Sequence, residues 1–512
     1  MNAKIGSCQE FFLFKKRVLQ KSRTFFLKRK KKIGIMKKNK RRRKEELKKE
    51  DYENIIKIGL DNGADFVEIF DEYSKSKSFI LNDSKLDTIN SSNTKGIGIR
   101  VIKNNEVYYS STNIVTLDNL KKIIVNLTKK LNQERSTNNF KLNNLEVKLK
   151  KVKKPHDSIR VSEKKKILLD IDKNVRKSSE LIQQITLGFI EDDRNFIIAN
   201  SEGKYIQSNT IVTRFIANIY VEKEGKKEHE FTDFAIGSGY DFLDEVNLEE
   251  KVLNCSKSAI KKLDAINIKG GEMPVIIAPG FGAVIFHEAC GHGLEATSIA
   301  PHISVFSDDL GKKIASSKVT LIDDGTIENS WGGNIIDDEG EYTNKNTLIE
   351  KGILKQFLVD KANSNKMKQK SNGCGRRQDY TYPPTSRMSN TFLLPGTDKI
   401  DDMVKSINYG VYCEKMSGGS VNPATGEFNF AVSEGYLVEN GEIKEAVRGA
   451  SLIGKGSDVL MNTDPKSDNY YGFIEDYLEI SCAFGCPYYI LKRIKNEAEY
   501  RRQDKSRCSQ YI

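Results

Sequence analysis

The spacing of apolar residues predicts alternating helices and strands in the first part of the chain. In residues 50–66, EDYENIIKIGLDNGADF, the residues Ile55, Ile58 and Leu60 recur at helical spacing before a glycine, which predicts an amphipathic helix. Residues 116–131, TLDNLKKIIVNLTKKL, repeat that period. Between these two segments lie short runs rich in β-branched and aromatic residues, which predict strands: FVEIFDEY, SFILND, GIGIRVI and EVYYSST.

A longer series of alternating apolar and polar positions spans residues 187–237 and predicts an antiparallel meander. Its turns are marked by the sequences SEG and KEGK. The preceding segment, residues 141–160, is rich in lysine and is interpreted as a charged linker in which His156 is a solvated loop residue. His229 is expected in a polar turn, and residues 245–265 are expected to be helical.

The second half begins with a predicted buried strand, MPVIIAP, and an apolar helix over residues 280–296, GFGAVIFHEACGHGLEA. The remainder is rich in glycine and in strand-like runs, with hairpin signals such as DDGT and ENGE. These patterns predict an α+β protein with largely antiparallel sheets and packed helices. The expected domains are 51–265 and 266–512, and the second has an atypical tail from about residue 465.

Positive charge is concentrated at the start of the chain. The net charge of the 512 residues is +13, but residues 1–50 hold 20 Lys and Arg against 4 Asp and Glu, which leaves 63 basic and 66 acidic side chains elsewhere. The body of the protein is therefore not predicted to bind polyanions through its charge. The basic leader is interpreted as disordered or as preceding a true start at Met36, with nucleic-acid binding, membrane-surface binding or targeting as alternatives.

The eight cysteines lack the regular spacing of a disulfide framework; they are residues 8, 255, 290, 374, 413, 482, 486 and 508. This distribution favours a reducing compartment, so we expect a cytoplasmic protein. No apolar run reaches the roughly 18 residues that a membrane-spanning helix requires, and no transmembrane segment is predicted.

The sequence FHEACGHGLEA, residues 286–296, contains two of the five histidines of the chain. Zinc favours imidazole ligands, and a metallopeptidase needs a nearby carboxylate to take a proton from water. His287 and His292 are five residues apart, which separates them by about 140° on an ideal helix. The two side chains can share a metal only if the helix loosens between them, and Gly291 is a residue type that permits this.

In this interpretation Glu288 is the general base. Glu295, three residues after His292, is a further ligand, a substrate clamp or an ordinary surface carboxylate. The alternative is an apolar helix with two incidental histidines and no metal, and the spacing alone does not decide between them.

Several blocks of the sequence resemble the TldD/PmbA family of metallopeptidases, once named modulators of DNA gyrase. The blocks span about residues 50–460 and include HEACGHGLEA, VTLIDDGTIENSWGGNIIDDEG, GCGRRQDYTYPPTSRMSNTFLLPG and GGSVNPATGEFNFAVSEGYLVENGEI. Within the family the HExxxH motif marks the TldD-type subunit, which this chain resembles. The resemblance implies a two-domain TldD/PmbA-like architecture and a zinc peptidase that acts on short, unstructured peptides.

The resemblance also implies roles for particular residues. His287 and His292 would bind Zn²⁺, Glu288 would activate water, and a cysteine near the C-terminus would be the third protein ligand. The family's Cys-Gly context is absent here, because the chain reads PKSDNYYGFIEDYLEISCAFGCPYY after residue 464. Cys482 is the first candidate and Cys486 the second, and the alternative is that neither reaches the metal.

Arg387 and Asn390, in the RMSNT block, are candidates for holding a peptide backbone or carboxylate, or for fixing a domain contact. The resemblance implies a homodimer or a heterodimer with a PmbA-type partner, and no specific nucleic acid is expected. Two other functions stay open. One is a non-catalytic peptide-binding subunit that has lost its third metal ligand, and the other is a nucleic-acid-associated protein that uses the basic leader.

Overall fold

The computed structural model describes residues 47–131, 140–280, 284–395, 399–422, 424–465 and 489–496. The α-helices in these ranges are α1 (Lys49–Asp61), α2 (Leu117–Thr128), α3 (Val161–Arg176), α4 (Leu248–Leu263), α5 (Val284–Ala289), α6 (Ala296–Ile299), α7 (Lys361–Met367), α8 (Ile400–Lys405) and α9 (Gly456–Asn462). The strands of the first half are β1 (Phe66–Asn82), β2 (Lys85–Lys103), β3 (Glu106–Thr112), β4 (Asn143–Asn144), β5 (Ile182–Asn200), β6 (Lys204–Lys223) and β7 (Lys226–Ile236).

The strands of the second half are shorter in its middle and longer near its end. They are β8 (Ile266–Asn267), β9 (Met273–Ile277), β10 (Leu321–Asp324), β11 (Lys345–Glu350), β12 (Ile353–Leu354), β13 (Gly375–Arg376), β14 (Thr385–Ser386), β15 (Thr391–Leu393), β16 (Tyr409–Asn422), β17 (Glu427–Glu439), β18 (Glu442–Arg448), β19 (Ser451–Lys455), β20 (Thr463–Pro465) and β21 (Tyr489–Asn496).

The first half forms a seven-stranded sheet in the order β3-β2-β1-β5-β6, with β4 and β7 both pairing with β6. The strands are antiparallel except for the short β4. The β1–β2 hairpin turns at Asp83 and Ser84, whose positive φ values of 47° and 61° match the twist of a two-residue hairpin loop. The meander predicted from the alternating pattern of residues 187–237 corresponds to β5, β6 and β7.

Because side chains alternate between the two faces of a strand, β1 contributes to two different layers. Its residues Val67 and Ile69 pack in one core with α1 and α2, while Phe79 and Leu81 pack in another with α3 and α4. On the opposite face, Phe70 packs with residues of the second half of the chain. The sheet therefore lies between a layer of helices and the part of the chain that carries the candidate site.

Buried ion pairs join this second face of the sheet to the second half. Arg100 donates to Glu68 at 2.7 Å and to Glu339 at 2.6 Å, and Arg377 donates to Glu68 at 2.6 Å. All four side chains are fully buried. Each charge has an opposite partner at hydrogen-bond distance, which is the condition under which buried charges are tolerated.

The second half is built around an eight-stranded sheet in the order β16-β9-β21-β19-β17-β18-β8, with β20 pairing with β21. Since β16 also pairs with β17, five of these strands form a closed ring of pairings. Apolar residues from α5 and from the ring strands share one core, including Ile285, Phe286, Val411 and Phe428. The helix that carries His287 is thus anchored to the sheet by its apolar side.

The predicted α+β class with largely antiparallel sheets is confirmed, but both predictions about peripheral histidines are wrong. His156 is buried, with Nε2 2.8 Å from Thr213 Oγ1 and Nδ1 3.0 Å from Asp193 Oδ1. His229 lies within β7, where its ring stacks on Tyr220 of β6 at a centroid distance of 5.4 Å. The burial of His156 depends on strands distant in sequence, whereas His229 contacts the adjacent strand of the β6–β7 hairpin.

None of the described helices combines the length and the apolar character needed to cross a membrane. The four cysteines of the described ranges, Cys255, Cys290, Cys374 and Cys413, are buried free thiols.

Candidate metal centre

The chain enters the candidate site through β9 and a turn at Gly280, where φ is +92°. The first turn of α5, residues 284–286, is buried in the core of the second half. His287 and Glu288 follow directly and are only half-buried. The apolar start of the helix therefore fixes the position of two polar side chains at the surface.

An apolar helix over residues 280–296 that loosens at Gly291, between the two histidines, was expected, and the structure shows a break one residue earlier. α5 ends at Ala289, Cys290 has φ −122° and ψ −54°, and Gly291–Leu294 forms a 3₁₀-helix. An added Cβ at Gly291 would overlap the sulfur of Met388, so glycine is required here for packing. The change of direction between the two short helices, and not an expanded turn at Gly291, accounts for the placement of the histidines.

His287, Glu288 and His292 converge in space. The two imidazole rings are 4.9 Å apart at their centroids and nearly perpendicular, at 83°. One ligand atom from each of the three residues lies within 4.8 Å of the others, and within the described part of the chain no other group of three His, Cys, Asp or Glu side chains has this proximity. His292 Nε2 is 3.6 Å from Glu288 Oε2. Imidazole nitrogen and carboxylate oxygen are ligands that zinc accepts, so the residues fit such an ion.

Glu295 lies behind His292 and outside this group of three. Its buried carboxylate is 3.0 Å from His292 Nδ1 through Oε1, and its Oε2 accepts a hydrogen bond from Arg387 Nη1 at 3.2 Å. Because an ionised carboxylate only accepts hydrogen bonds, this contact assigns the proton to Nδ1 and leaves the lone pair on Nε2. Nε2 is the nitrogen nearer Glu288, so Glu295 orients His292 toward the group.

The surroundings shift the pKa values of the two histidines in opposite directions. Burial, followed by the charges of His292 and Arg387, lowers the pKa of His287 to about 3. Burial also lowers the pKa of His292, but the hydrogen bond from Nδ1 to Glu295 and the negative charges of Glu295 and Glu288 outweigh this and raise it above its usual range. His287 is therefore neutral at neutral pH, which is the form that binds metals.

The RMSNT block contributes one residue to the centre and uses another for structure. Arg387 reaches the centre through its hydrogen bond to Glu295. Asn390 is fully buried: its side-chain amide donates to the backbone oxygen of Asp324 at 2.6 Å and accepts from the backbone nitrogen of Gly332 at 3.2 Å. Of the two roles left open for Asn390, holding a peptide and fixing a structural contact, this burial favours the second, because both polar atoms of its amide contact backbone groups.

Two further contacts that position this block were not anticipated from the sequence. Buried Asp323 accepts hydrogen bonds from the backbone nitrogen and the hydroxyl of Ser389. Ser386 Oγ accepts from the backbone nitrogen of Thr297 at 2.9 Å, which ties β14 to α6. Single Asp, Ser and Thr residues are common in turns, so the only sequence signal for these contacts was the resemblance of the block itself.

Cys482 and Cys486 lie outside the described residues. The strands on either side of them are described: Pro465 of β20 pairs with Tyr489 of β21, and Tyr489 pairs with Ile277 of β9. One end of the segment that contains the two cysteines therefore adjoins the carboxyl end of β9, from which the chain proceeds to α5, and the other end lies one strand further away.

An α+β fold that brings two histidines and a glutamate together is the arrangement expected of a metallopeptidase. Family models of three PmbA/TldA metallopeptidase domains match the chain: domain 1 at residues 67–129, the central domain at 154–265 and the C-terminal domain at 270–496. The chain belongs to the PmbA/TldD metallopeptidase family.

Individual relatives agree with this assignment. The metalloprotease TldD homolog of Buchnera aphidicola from Acyrthosiphon pisum is 31% identical over 418 residues, which covers 79% of this chain and 86% of that protein. The zinc metalloprotease TldD homolog of Saccharolobus solfataricus is 30% identical over 283 residues, covering 54% and 63%. The crystal structure of TldE from Thermococcus kodakarensis has the same fold, with a TM-score of 0.69, 20% identity and coverage of 87% and 99%.

Proposed function

We propose that this protein is a zinc-dependent peptidase that hydrolyses short or unstructured peptides. The convergence of His287, Glu288 and His292 is the observation that carries the proposal. The hydrogen bond between Glu295 and His292 adds support, because metal-binding histidines usually have such a carboxylate or carbonyl partner. The relative named a zinc metalloprotease makes zinc the first ion to test.

In the proposed mechanism His287 and His292 hold the ion, and Glu288 acts as general base. When bound, zinc would act as a Lewis acid on the carbonyl oxygen of the scissile peptide bond. Glu288 takes a proton from the attacking water, whose oxygen bonds to the carbonyl carbon. The C–N bond then breaks as Glu288 passes the proton to the leaving amine, so that one water is consumed for each bond cleaved.

The partial burial of these side chains supports an extended, flexible substrate. His287, Glu288 and His292 are each half-buried, so a peptide must approach them with its backbone exposed. Segments of a folded protein seldom present an isolated, unpaired strand in this way. Cleavage of a folded protein as fast as of its unfolded form would contradict this part of the proposal.

For the third protein ligand we propose Cys482, with Cys486 as the second candidate. The pairing of Tyr489 with Ile277 supports a ligand from the segment before Tyr489, because that end of the segment adjoins the strand that leads to α5, and Pro465 at its other end pairs with Tyr489. Zinc in catalytic sites commonly has three protein ligands and one open position.

The decisive experiment measures zinc content and cleavage of an unstructured reporter peptide by the full-length protein. We expect about one zinc per chain. Glu288→Gln should keep the zinc and lose turnover by about 10²- to 10⁴-fold, since a general base contributes about this much. Loss of zinc in this variant would instead make Glu288 a ligand. Glu442→Gln, at an exposed carboxylate, is the matched control and should change neither quantity.

Cys482→Ser should lose zinc, and Cys486→Ser should retain it. The reverse result would make Cys486 the third ligand.

The proposed assembly is a homodimer or a heterodimer with a PmbA-type subunit, supported by the shared fold with TldE. Each assay is therefore run with and without that subunit, and the molar mass in solution identifies the assembly.

A second candidate function is a non-catalytic peptide-binding subunit. It is favoured by one observation: within the described ranges, no cysteine or third histidine joins the group of His287, Glu288 and His292. This function would be established if the wild-type protein holds no zinc, cleaves no peptide with or without the PmbA-type subunit, and still binds peptide stoichiometrically.

A further inference from the structure

The guanidinium of Arg387 is exposed at the edge of the candidate centre. Its side chain is 54% exposed, whereas the Glu295 carboxylate beneath it is only 3% exposed. Among the described residues, the one hydrogen bond of this side chain runs from Nη1 to Glu295 Oε2. A guanidinium carries five N–H donors in a planar fork, so most of its donors remain available to a ligand that arrives from solvent.

Arg387 is also close to both histidines. Its positive charge contributes to the lowered pKa of His287 and opposes the raised pKa of His292. The Glu295 carboxylate connects the two side chains: it is 3.2 Å from Arg387 Nη1 through Oε2 and 3.0 Å from His292 Nδ1 through Oε1. An extended peptide advances about 3.3–3.6 Å per residue, so the guanidinium lies within a few residues of any peptide bond held at His292.

We propose that Arg387 binds the carboxylate at the C-terminal end of the substrate peptide, so that the enzyme releases short fragments from that end. This inference rests on the proposed peptidase function and specifies its substrate class. A carboxylate is the peptide group that matches the guanidinium fork, because it accepts two parallel hydrogen bonds. A backbone carbonyl has one oxygen and no charge, and it would use only part of the fork.

Arg387 is assigned a binding role and takes no part in the bond exchange. The water oxygen still joins the acyl carbon, the amide C–N bond still breaks, and Glu288 still transfers the proton to the leaving amine. The expected consequence is a preference in kcat/KM for peptides that end in a free carboxylate.

The test compares two peptides of identical sequence, one with a free terminal carboxylate and one with a terminal amide. The zinc-loaded full chain should cleave the free peptide with a roughly 10- to 100-fold higher kcat/KM, the usual range for a charge-assisted hydrogen-bonded pair. Arg387→Gln should abolish that preference while retaining zinc. Arg387→Lys should keep part of it, since lysine preserves the charge but not the fork. Arg160→Gln, at an arginine that is 82% exposed beside α3, is the matched control and should keep the full preference.

Several outcomes would overturn the inference and leave the peptidase proposal standing. They are equal cleavage of the two peptides by the wild type, or a preference that survives Arg387→Gln. An equal loss of turnover on both peptides in Arg387→Gln would give Arg387 only a positioning role through Glu295. Rapid cleavage of an amidated peptide that ends in glutamate would show that a side-chain carboxylate suffices. If the zinc-loaded wild type cleaves neither peptide, the proposed function itself fails.

Discussion

Replacing Glu295 by glutamine tests how the candidate metal centre is oriented. The buried carboxylate contacts His292 Nδ1 at 3.0 Å and Arg387 Nη1 at 3.2 Å. Glutamine has nearly the same shape, but its amide is uncharged and has one acceptor oxygen for the two donors. The substitution therefore removes at least one charge-assisted hydrogen bond without opening a cavity.

The expected effect on zinc affinity follows from two independent magnitudes. A hydrogen bond to a charged group contributes about 1.5–3 kcal/mol, and loss of the hydrogen-bond partner of a metal-binding histidine weakens metal affinity about 10- to 100-fold. These magnitudes agree, since about 1.4 kcal/mol corresponds to a factor of ten. We expect the zinc dissociation constant of Glu295→Gln to rise by about 10- to 100-fold.

The same substitution has a predicted effect on protonation. Because the hydrogen bond and charge of Glu295 raise the pKa of His292 in the metal-free protein, that pKa should fall in Glu295→Gln. Protons would then compete with zinc for His292 only at lower pH than in the wild type. The weaker zinc affinity of the variant would therefore be most evident at a pH above the His292 pKa of both proteins, where protons do not compete with zinc for this side chain.

Two measurements check these expectations. Competition with a chromophoric chelator gives the zinc dissociation constant, and an NMR titration of the metal-free protein gives the pKa of His292. Glu442→Gln, whose side chain is 70% exposed in the wild type, should change neither value. If zinc affinity and the His292 pKa are both unchanged in Glu295→Gln, the hydrogen bond does not orient the histidine and the reasoning is refuted.

Two further predictions concern the packing that supports the site. Arg100→Met leaves Glu339 without its buried cation, so urea denaturation should show a free energy of unfolding lower by about 3–5 kcal/mol; a loss below about 1 kcal/mol would contradict this role. Gly291→Ala should cost about 1–3 kcal/mol because its Cβ meets the Met388 sulfur, and combined with Met388→Ala it should lose less stability than the two single variants together. Strict additivity would show that the two residues do not compete for space.

The local periodicity of the sequence predicted most elements of the first half. Ile55, Ile58 and Leu60 mark a helix that the structure bounds at Lys49–Asp61, and the alternating pattern of 187–237 corresponds to three consecutive antiparallel strands. These predictions succeed because helices and hairpins form between residues that are near in sequence.

Polar residues were predicted less well where their surroundings come from distant strands. His156 follows a run of lysines and a proline, which suggested a solvated loop, yet Thr213 and Asp193 enclose it. Asn390 was a candidate for substrate binding, yet the backbone of Asp324 and of Gly332 occupies its amide. Nothing in the neighbouring sequence of either residue specifies these partners.

The sequence by itself determined the ligand types of the candidate centre, two imidazoles and a carboxylate within six residues, and the resemblance to a metallopeptidase family. Only the tertiary structure decided that the Glu295 carboxylate contacts His292 Nδ1. It also decided that Arg387, 92 residues further along the chain, donates a hydrogen bond to Glu295. The physical reason is that residue types are local properties of the chain. Orientation and charge balance at the site depend on packing. Here they depend on the interruption of the helix at Cys290 and on the close approach of Met388 to Gly291.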